Sequence, residues 1–333
     1  MYDLEVARVL EFINRNNPKK VLIQLADGLR PKAFHLVGIL RERTDAEYLL
    51  LGDSCYGACD IALRQANELE ADLIIHYGHS KMLPDTDIPV LYIELKVKID
   101  VDNLVDKTFR LLRVWRTVGL ATTVQHIHQI GEIAERLRLK GIQIMIGRKG
   151  RRTIYAGQVL GCDYSSARFI ADEVNGFLFI GGGQFHSLGL AMATGRPVIA
   201  FDPYISSVTM FGEEENKLLA KKRMAAVFAA KKARRIGIIV SLKPGQFELT
   251  TARSLRDGFE QQGKEAAIIC LDDIRSEKLG NFSEADAFID TACPRIAIDG
   301  VGEIRRPILT IEEAHVLLGE KRWEDIWPKS YLG

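Results

Sequence analysis

The chain is 333 residues long, with 47% hydrophobic and 27% charged residues, the proportions of a soluble globular protein with room for two or three domains. Lys and Arg number 45 against 44 Asp and Glu, which excludes bulk attraction to nucleic acid or membrane and leaves only local patches for such partners. The start Met1-Tyr2-Asp3-Leu4-Glu5 has no signal-peptide pattern and no apolar run reaches membrane-span length, so a cytoplasmic protein is expected.

Short β-rich runs alternate along the chain with segments of helical period, the pattern of a parallel α/β architecture. The first third reads as strands Val21 to Leu25, Tyr48 to Leu51, Leu73 to His76 and Val90 to Ile93, with a helix from about Pro31 to Arg43 and another after Cys59. Strands are expected next at Val118 to Val124, Ile142 to Ile146, Gly176 to Ile180 and Pro197 to Phe201. The last third follows with Ile236 to Val240, Ala266 to Cys270, Ala287 to Asp290 and Pro307 to Ile311.

The order of elements repeats, and so does the chemistry. Cys59-Asp60 precedes a helix and a strand ending at His79-Ser80, while Cys162-Asp163 precedes a helix and a strand ending at His186-Ser187. Three homologous α/β units in a pseudo-threefold arrangement follow, 1–103 with Cys59, 104–213 with Cys162 and 214–333 with Cys293, divided near Val101 to Lys107 and within Phe211 to Arg235. Ligands of such sheets gather outside the carboxyl ends of the strands, so three inward-facing edges would share one central site.

Five cysteines, an odd number at low density, argue against a disulfide scaffold. Cys270, inside Ala267-Ile268-Ile269-Cys270-Leu271, reads as a small buried hydrophobe, and Cys55 makes only half a ligand motif with Cys59. Cys59, Cys162 and Cys293 each stand beside turn-forming or polar residues at a strand end or helix start. Three such thiolates suit an iron–sulfur cluster with one open iron, whereas structural zinc normally uses local pairs such as C-x2-C.

Alternating histidines in a strand point to opposite faces, so His76, His79, His126 and His128 read as strand-end polar residues rather than a metal site. Gly181-Gly182-Gly183 could bring backbone N–H groups to an anion or serve only a turn, and it fails the G-x-G-x-x-G pattern of dinucleotide sites. The basic runs Lys221-Lys222-Arg223 and Lys231 to Arg235 read as a solvated helix face, and Arg148 to Arg152 as a candidate rim for a partner.

Seven segments in order carry a resemblance that covers nearly the whole chain. They are Gln24 to Leu29, Asp53 to Cys59, Thr122 to Gln125, Gly157 to Cys162, Gly182 to His186, Phe201 to Tyr204 and Ala292 to Asp299. Together they resemble the archaeal 2-(3-amino-3-carboxypropyl)histidine synthases, the radical S-adenosylmethionine family of diphthamide biosynthesis. The resemblance implies three α/β units, a homodimer, and a 4Fe-4S cluster on Cys59, Cys162 and Cys293 with S-adenosylmethionine on the fourth iron. It implies transfer of the 3-amino-3-carboxypropyl group to a histidine of elongation factor 2, driven by an external electron donor, with no membrane or direct nucleic-acid partner. On this reading the strand-end residues Asp27, Gly28, Gln125, Gly182, Gln184 and His186 hold the cofactor, no catalytic side chain is needed beyond the cluster ligands, and Cys55 and Cys270 are bystanders. Related chains carry Asp where this one has Gly182. The competing readings are a quinolinate synthase-like enzyme, which needs neither S-adenosylmethionine nor a protein substrate, and a non-enzymatic iron–sulfur carrier.

Overall fold

A computed structural model of the protein describes residues 3–327. The first sheet contains β1 (Lys20–Leu25), β2 (Glu47–Leu50), β3 (Leu73–Tyr77) and β4 (Val90–Ile93), all parallel, in the order β2-β1-β3-β4. The second holds β5 (Thr117–Thr122), β6 (Gln143–Ile146), β7 (Gly176–Ile180), β8 (Val198–Asp202) and β9 (Ser207–Phe211), in the order β6-β5-β7-β8-β9. The third comprises β10 (Arg235–Ser241), β11 (Glu265–Leu271), β12 (Ala287–Asp290) and β13 (Ile308–Thr310), in the order β11-β10-β12-β13. Each sheet therefore places its second strand outside its first, then its third and fourth on the other side.

The central strands explain why the sheets are covered on both faces. β3, β5, β7 and β12 are buried along their whole length, which suits near-continuous Val, Ile, Leu and Phe. Successive side chains then serve opposite faces: in β1, Val21, Ile23 and Leu25 enter one hydrophobic cluster while Leu22 joins another with Ile61, Ala66 and Ile74. The third sheet divides likewise, Ile238 and Val240 on one side and Ile239 on the other.

Several local expectations change. The segment from Asp27 begins as a 3-10 turn, Asp27–Lys32, and becomes α-helical only over Ala33–Arg41, since Pro31 has no N–H to give an α-helical turn. Strand β5 stops at Thr122 because Val124–Gln129 coils into another 3-10 turn. Cys270 is exposed rather than buried: β11 lies at a sheet edge and only Ile269 in it is fully covered. The antiparallel β9, which no sequence pattern announced, returns beside β8 before the helix Glu213–Ala230.

That helix corrects the solvated-face reading of its basic run at one residue, Arg223, while Lys221 and Lys222 are exposed as expected. Arg223 is buried and forms a two-pronged pair with Glu313, Nε to Oε1 at 2.9 Å and Nη2 to Oε2 at 2.6 Å. Its other donors reach Ala297 O and, at 2.7 Å, Ile308 O. Glu313 also caps its own helix, Ile311–Leu317, by accepting from Thr310 N–H at 2.9 Å. Four elements are thus clamped by one guanidinium, including the helix Pro294–Asp299 that starts immediately after Cys293. The chain then runs back to the second unit, where Ile326 packs in the cluster containing Phe177 and Met192.

Removing one partner of a buried pair leaves an uncompensated charge. Arg223→Met is expected to lower unfolding free energy by about 3 to 5 kcal/mol. Chemical denaturation checks this, and Arg223→Met with Glu313→Leu should recover much of the loss.

Candidate functional site

The carboxyl ends of the strands converge on a cavity of about 580 Å³ that is lined by Cys59, Cys162 and Cys293 together. Cys59 lies beyond β2, Cys162 beyond β6 and Cys293 beyond β12, so each sheet supplies one thiol. Burial dominates their titration: it pushes Cys162 up to about 11 and Cys293 up to about 12, and moves Cys59 in the same direction. Proximity adds to this, since Cys59 raises Cys162, and both raise Cys293. Three neutral thiols would release protons on binding a metal.

Close backbone approach sets the position of Cys59. Gly245 N–H donates to Cys59 O at 2.8 Å, and a Cβ on Gly245 would lie only 2.5 Å from Cys59 Cα. The next residue, Gln246, donates from Nε2 to Cys59 Sγ at 3.2 Å. Lys243 pairs with Asp60 at 2.6 Å, offsetting part of the burial that pushes the Asp60 carboxyl up. A glycine in the Lys243 to Gln246 loop is thus required by contact between units, beyond any role in its own turn.

Other bonds close the wall between units. Gln125 Nε2 donates to Gly78 O at 2.8 Å, Gln158 Nε2 to Ser80 Oγ at 2.7 Å, and Tyr56 OH to Asp273 at 3.0 Å. Arg295 lies 3.6 Å above the Phe185 ring and pairs with Asp299 at 2.7 Å. Behind Cys293, Asp290 Oδ1 accepts from Ala292 N–H at 3.0 Å and from Cys293 N–H at 3.4 Å. Asp290 Oδ2 is buried without a hydrogen-bond partner among the described residues, and burial pushes this carboxyl up to about 7.

Of the six expected cofactor residues, Gln125 and His186 line the cavity, and burial, followed by Arg295, lowers His186 to about 4. Asp27, Gly28, Gly182 and Gln184 lie outside its lining. Asp27 instead pairs with Arg30 at 3.0 Å, and Gly28 is exposed in the same 3-10 turn. Gly182 packs against Tyr204, and Gly183 N–H is taken by Asp202 Oδ2 at 2.8 Å. The carboxylate of Asp202 thus occupies the N–H that an anion in this glycine turn would use.

Sequence reasoning missed Gln158 and Arg295 as wall residues. Their signal lay in the quoted motifs, but their partners are supplied by other units. The histidines also behave differently from expectation. Gly78, at φ +104°, turns the chain after β3 so that His79 folds back onto His76, with Nδ1 and Nε2 3.0 Å apart. With Cys55 they bring three ligand-type atoms within 4.8 Å of one another. His126 and His128 lie in the 3-10 turn Val124–Gln129, not in a strand. The basic residues Arg151 and Arg152 line a second cavity, of about 640 Å³, that shares Cys162 and Gln246 with the first.

Residues 25–328 match the family described as "Putative diphthamide synthesis protein". The chain is 37% identical to 2-(3-amino-3-carboxypropyl)histidine synthase of Pyrococcus horikoshii, over 96% of this chain and 91% of that protein. It is 29% identical to the human 2-(3-amino-3-carboxypropyl)histidine synthase subunit 1, over 99% of this chain and 75% of the relative. Among solved structures, Dph2 from Pyrococcus horikoshii superposes with a TM-score of 0.89 at 36% identity, covering 97% of this chain and 93% of the other. The same protein with a 4Fe-4S cluster gives 0.88, also at 36% identity, over 96% and 92%.

Two outcomes follow from this geometry. Gly245→Ala should displace the Cys59 loop and reduce iron content without unfolding the chain, as read by iron analysis beside a thermal melt. Asp290 titrates with a raised folded-state value, so its contribution is neutral below the unfolded value near 3.9 and becomes increasingly unfavourable up to about pH 7. Asp290→Asn should therefore gain stability relative to the parent as pH rises from 4 to 7, with no relative gain below about pH 4, in denaturation curves of the metal-free chain.

Proposed function

Because the chain belongs to the diphthamide synthesis protein family, we propose that it transfers the 3-amino-3-carboxypropyl group of S-adenosylmethionine to a histidine of elongation factor 2. It is an enzyme, a transferase, and it carries a 4Fe-4S cluster. The observation that supports the assignment of ligands is the meeting of Cys59, Cys162 and Cys293, one from each sheet, at a single cavity. The donor set fits the group: three half-buried thiols face the same space, while Cys55 and Cys270 are not in its lining. Such a cluster, when bound, supplies one electron to the sulfonium and an open iron beside which the co-substrate's reacting carbon is placed.

The chain's own task is placement. Which of the three carbon–sulfur bonds of a sulfonium breaks depends on which carbon is held against the electron source, so the walls decide the product. Gln125 is fixed by its bond to Gly78 and His186 is held neutral by burial, so both present uncharged polar groups to the co-substrate. Arg295, held on Phe185, is the cation in the lining suited to its carboxylate. Apolar side chains such as Met82, Val124 and Leu160 exclude water from the same space. The acceptor histidine enters on its own protein, and Arg151 and Arg152 beside the second cavity are the rim against which that protein docks. A homodimer, an external electron donor and a cytoplasmic setting complete this reading.

Incubating the reduced, cluster-loaded chain without oxygen with S-adenosylmethionine labelled in its aminocarboxypropyl part tests it. Label should appear on a histidine of elongation factor 2 with an equivalent of methylthioadenosine, and neither product would sink the assignment. Cys293→Ala should abolish transfer, while Cys270→Ala should leave it near normal.

A further inference from the structure

A chain of hydrogen bonds behind the cavity fixes the protonation of two histidines. Gln24 Nε2 donates to Asp60 O at 2.6 Å, and Gln24 Oε1 accepts from Ala62 N–H at 3.3 Å. A backbone carbonyl can only accept and a backbone N–H can only donate, so these two contacts set which end of the Gln24 amide is oxygen. That oxygen lies 2.8 Å from His76 Nδ1, which must therefore carry the proton. His76 Nε2 is then a lone pair, and His79 Nδ1, 3.0 Å away, must donate to it. The remaining nitrogen, His79 Nε2, is left as an unprotonated acceptor with no hydrogen-bond partner among the described residues, and His79 lines the cavity that holds the three cysteines.

The overall reaction needs such a group. A carbon–sulfur bond of the sulfonium breaks, a carbon–carbon bond forms at carbon 2 of the acceptor imidazole, and the C–H bond at that carbon breaks. The electron that opens the carbon–sulfur bond is given back when the ring regains aromaticity. The net change is therefore redox neutral, and the positive charge lost from sulfur reappears as one proton. We propose that His79, through Nε2, is the catalytic residue that accepts this proton from the acceptor imidazole. This rests on the transfer reaction given above.

The alternative use of the same atoms, a metal held by Cys55, His76 and His79, would need His76 Nε2 and His79 Nδ1 both free of protons. The Gln24 amide leaves His76 Nε2 free, but the two nitrogens then need a proton between them to stand at 3.0 Å. Burial lowers His79 to about 4, which keeps it neutral and competent to accept at physiological pH. As an acceptor it is matched to a strongly acidic donor, such as a ring carbon whose C–H must leave to restore aromaticity.

The test separates the two halves of the reaction. His79→Asn keeps an N–H that can donate to His76 Nε2 but presents no basic nitrogen to the cavity. In the cluster-loaded, reduced enzyme, methylthioadenosine formation without elongation factor 2 should be nearly unchanged, while labelled transfer falls by about 10²-fold or more. Deuterium at carbon 2 of the acceptor histidine should slow transfer by the variant and not by the parent. Cleavage and transfer falling together, or transfer unaffected, would overturn the proposal. Independently of any activity, ¹⁵N-histidine spectra of the full-length chain should place the His79 proton on Nδ1 with a pyridine-type Nε2; a proton on Nε2 would also overturn it. Failure of the parent enzyme to produce methylthioadenosine or label would instead count against the transfer reaction itself and leave the spectroscopic result standing.

Discussion

The contact on which the site depends is the approach of the Gly245 backbone to Cys59. Nothing larger than hydrogen fits at that α-carbon, and the 2.8 Å bond from its N–H to Cys59 O joins the third unit to the first at one of the three cysteines that line the cavity. Gln246 and Lys243 follow from the same loop, one donating to the thiol and the other pairing with Asp60. The three thiols of the cavity come from three units, so their geometry is only as good as the docking of those units. The polar bonds across the seams hold that docking: Gln125 to Gly78, Gln158 to Ser80 and Tyr56 to Asp273. The bonds of Gln125 and Gln158 cover donors and acceptors that would be costly to leave unpaired, so a slip between the first and second units is penalised.

The repeated strand order supplies the frame that makes this possible. Placing the second strand outside the first and the third on its other side opens a crevice at the carboxyl ends, where chain directions diverge. Three such crevices turned toward one another make a cavity with no element of its own. The pair of Arg223 and Glu313 serves the same end from behind, because it ties the helix following Cys293 to the long helix after β9. A buried ion pair contributes little net stability compared with apolar packing, but it fixes where these helices sit.

Much of this was legible in the sequence because strands buried on both faces write themselves as unbroken apolar runs. The positions of β1, β3, β7, β10 and β12 follow directly from Val21 to Leu25, Leu73 to His76, Gly176 to Ile180, Ile236 to Val240 and Ala287 to Asp290. The three cysteines were legible too, since each sits among turn residues at the end of such a run. Edge positions were not. Cys270 lies in an equally apolar run, but whether a strand is covered depends on its neighbours in the sheet, which one segment does not encode. Wall residues escaped for a related reason: the partner of Gln158 is Ser80, far away in sequence, and no local pattern marks a glutamine that will meet a distant serine. Asp27, Gly28, Gly182 and Gln184 share the strand-end setting but are not in the lining of the cavity, and local sequence does not tell them apart from Gln125 and His186, which are.

The departure from threefold symmetry has a physical consequence for the site. Cys59 and Cys162 lie beyond the second strands of their units, whereas the corresponding loop of the third unit, beyond β11, carries Asp272 and Asp273. Those carboxylates bond Arg64 at 3.1 Å and Tyr56 at 3.0 Å, so the third unit uses this loop to grip the first instead of to supply a thiol. Its thiol comes from beyond β12, where Asp290 orders the backbone of Ala292 and Cys293. A symmetric trio would present three equivalent walls to whatever binds in the cavity. This arrangement gives three different ones: the neutral polar edge of His186 and Gln125, the cation Arg295 on Phe185, and the acidic pair beside Tyr56. An asymmetric co-substrate with a sulfonium, an amino group and a carboxylate can be oriented only by walls that differ, and orientation is what selects the bond that breaks.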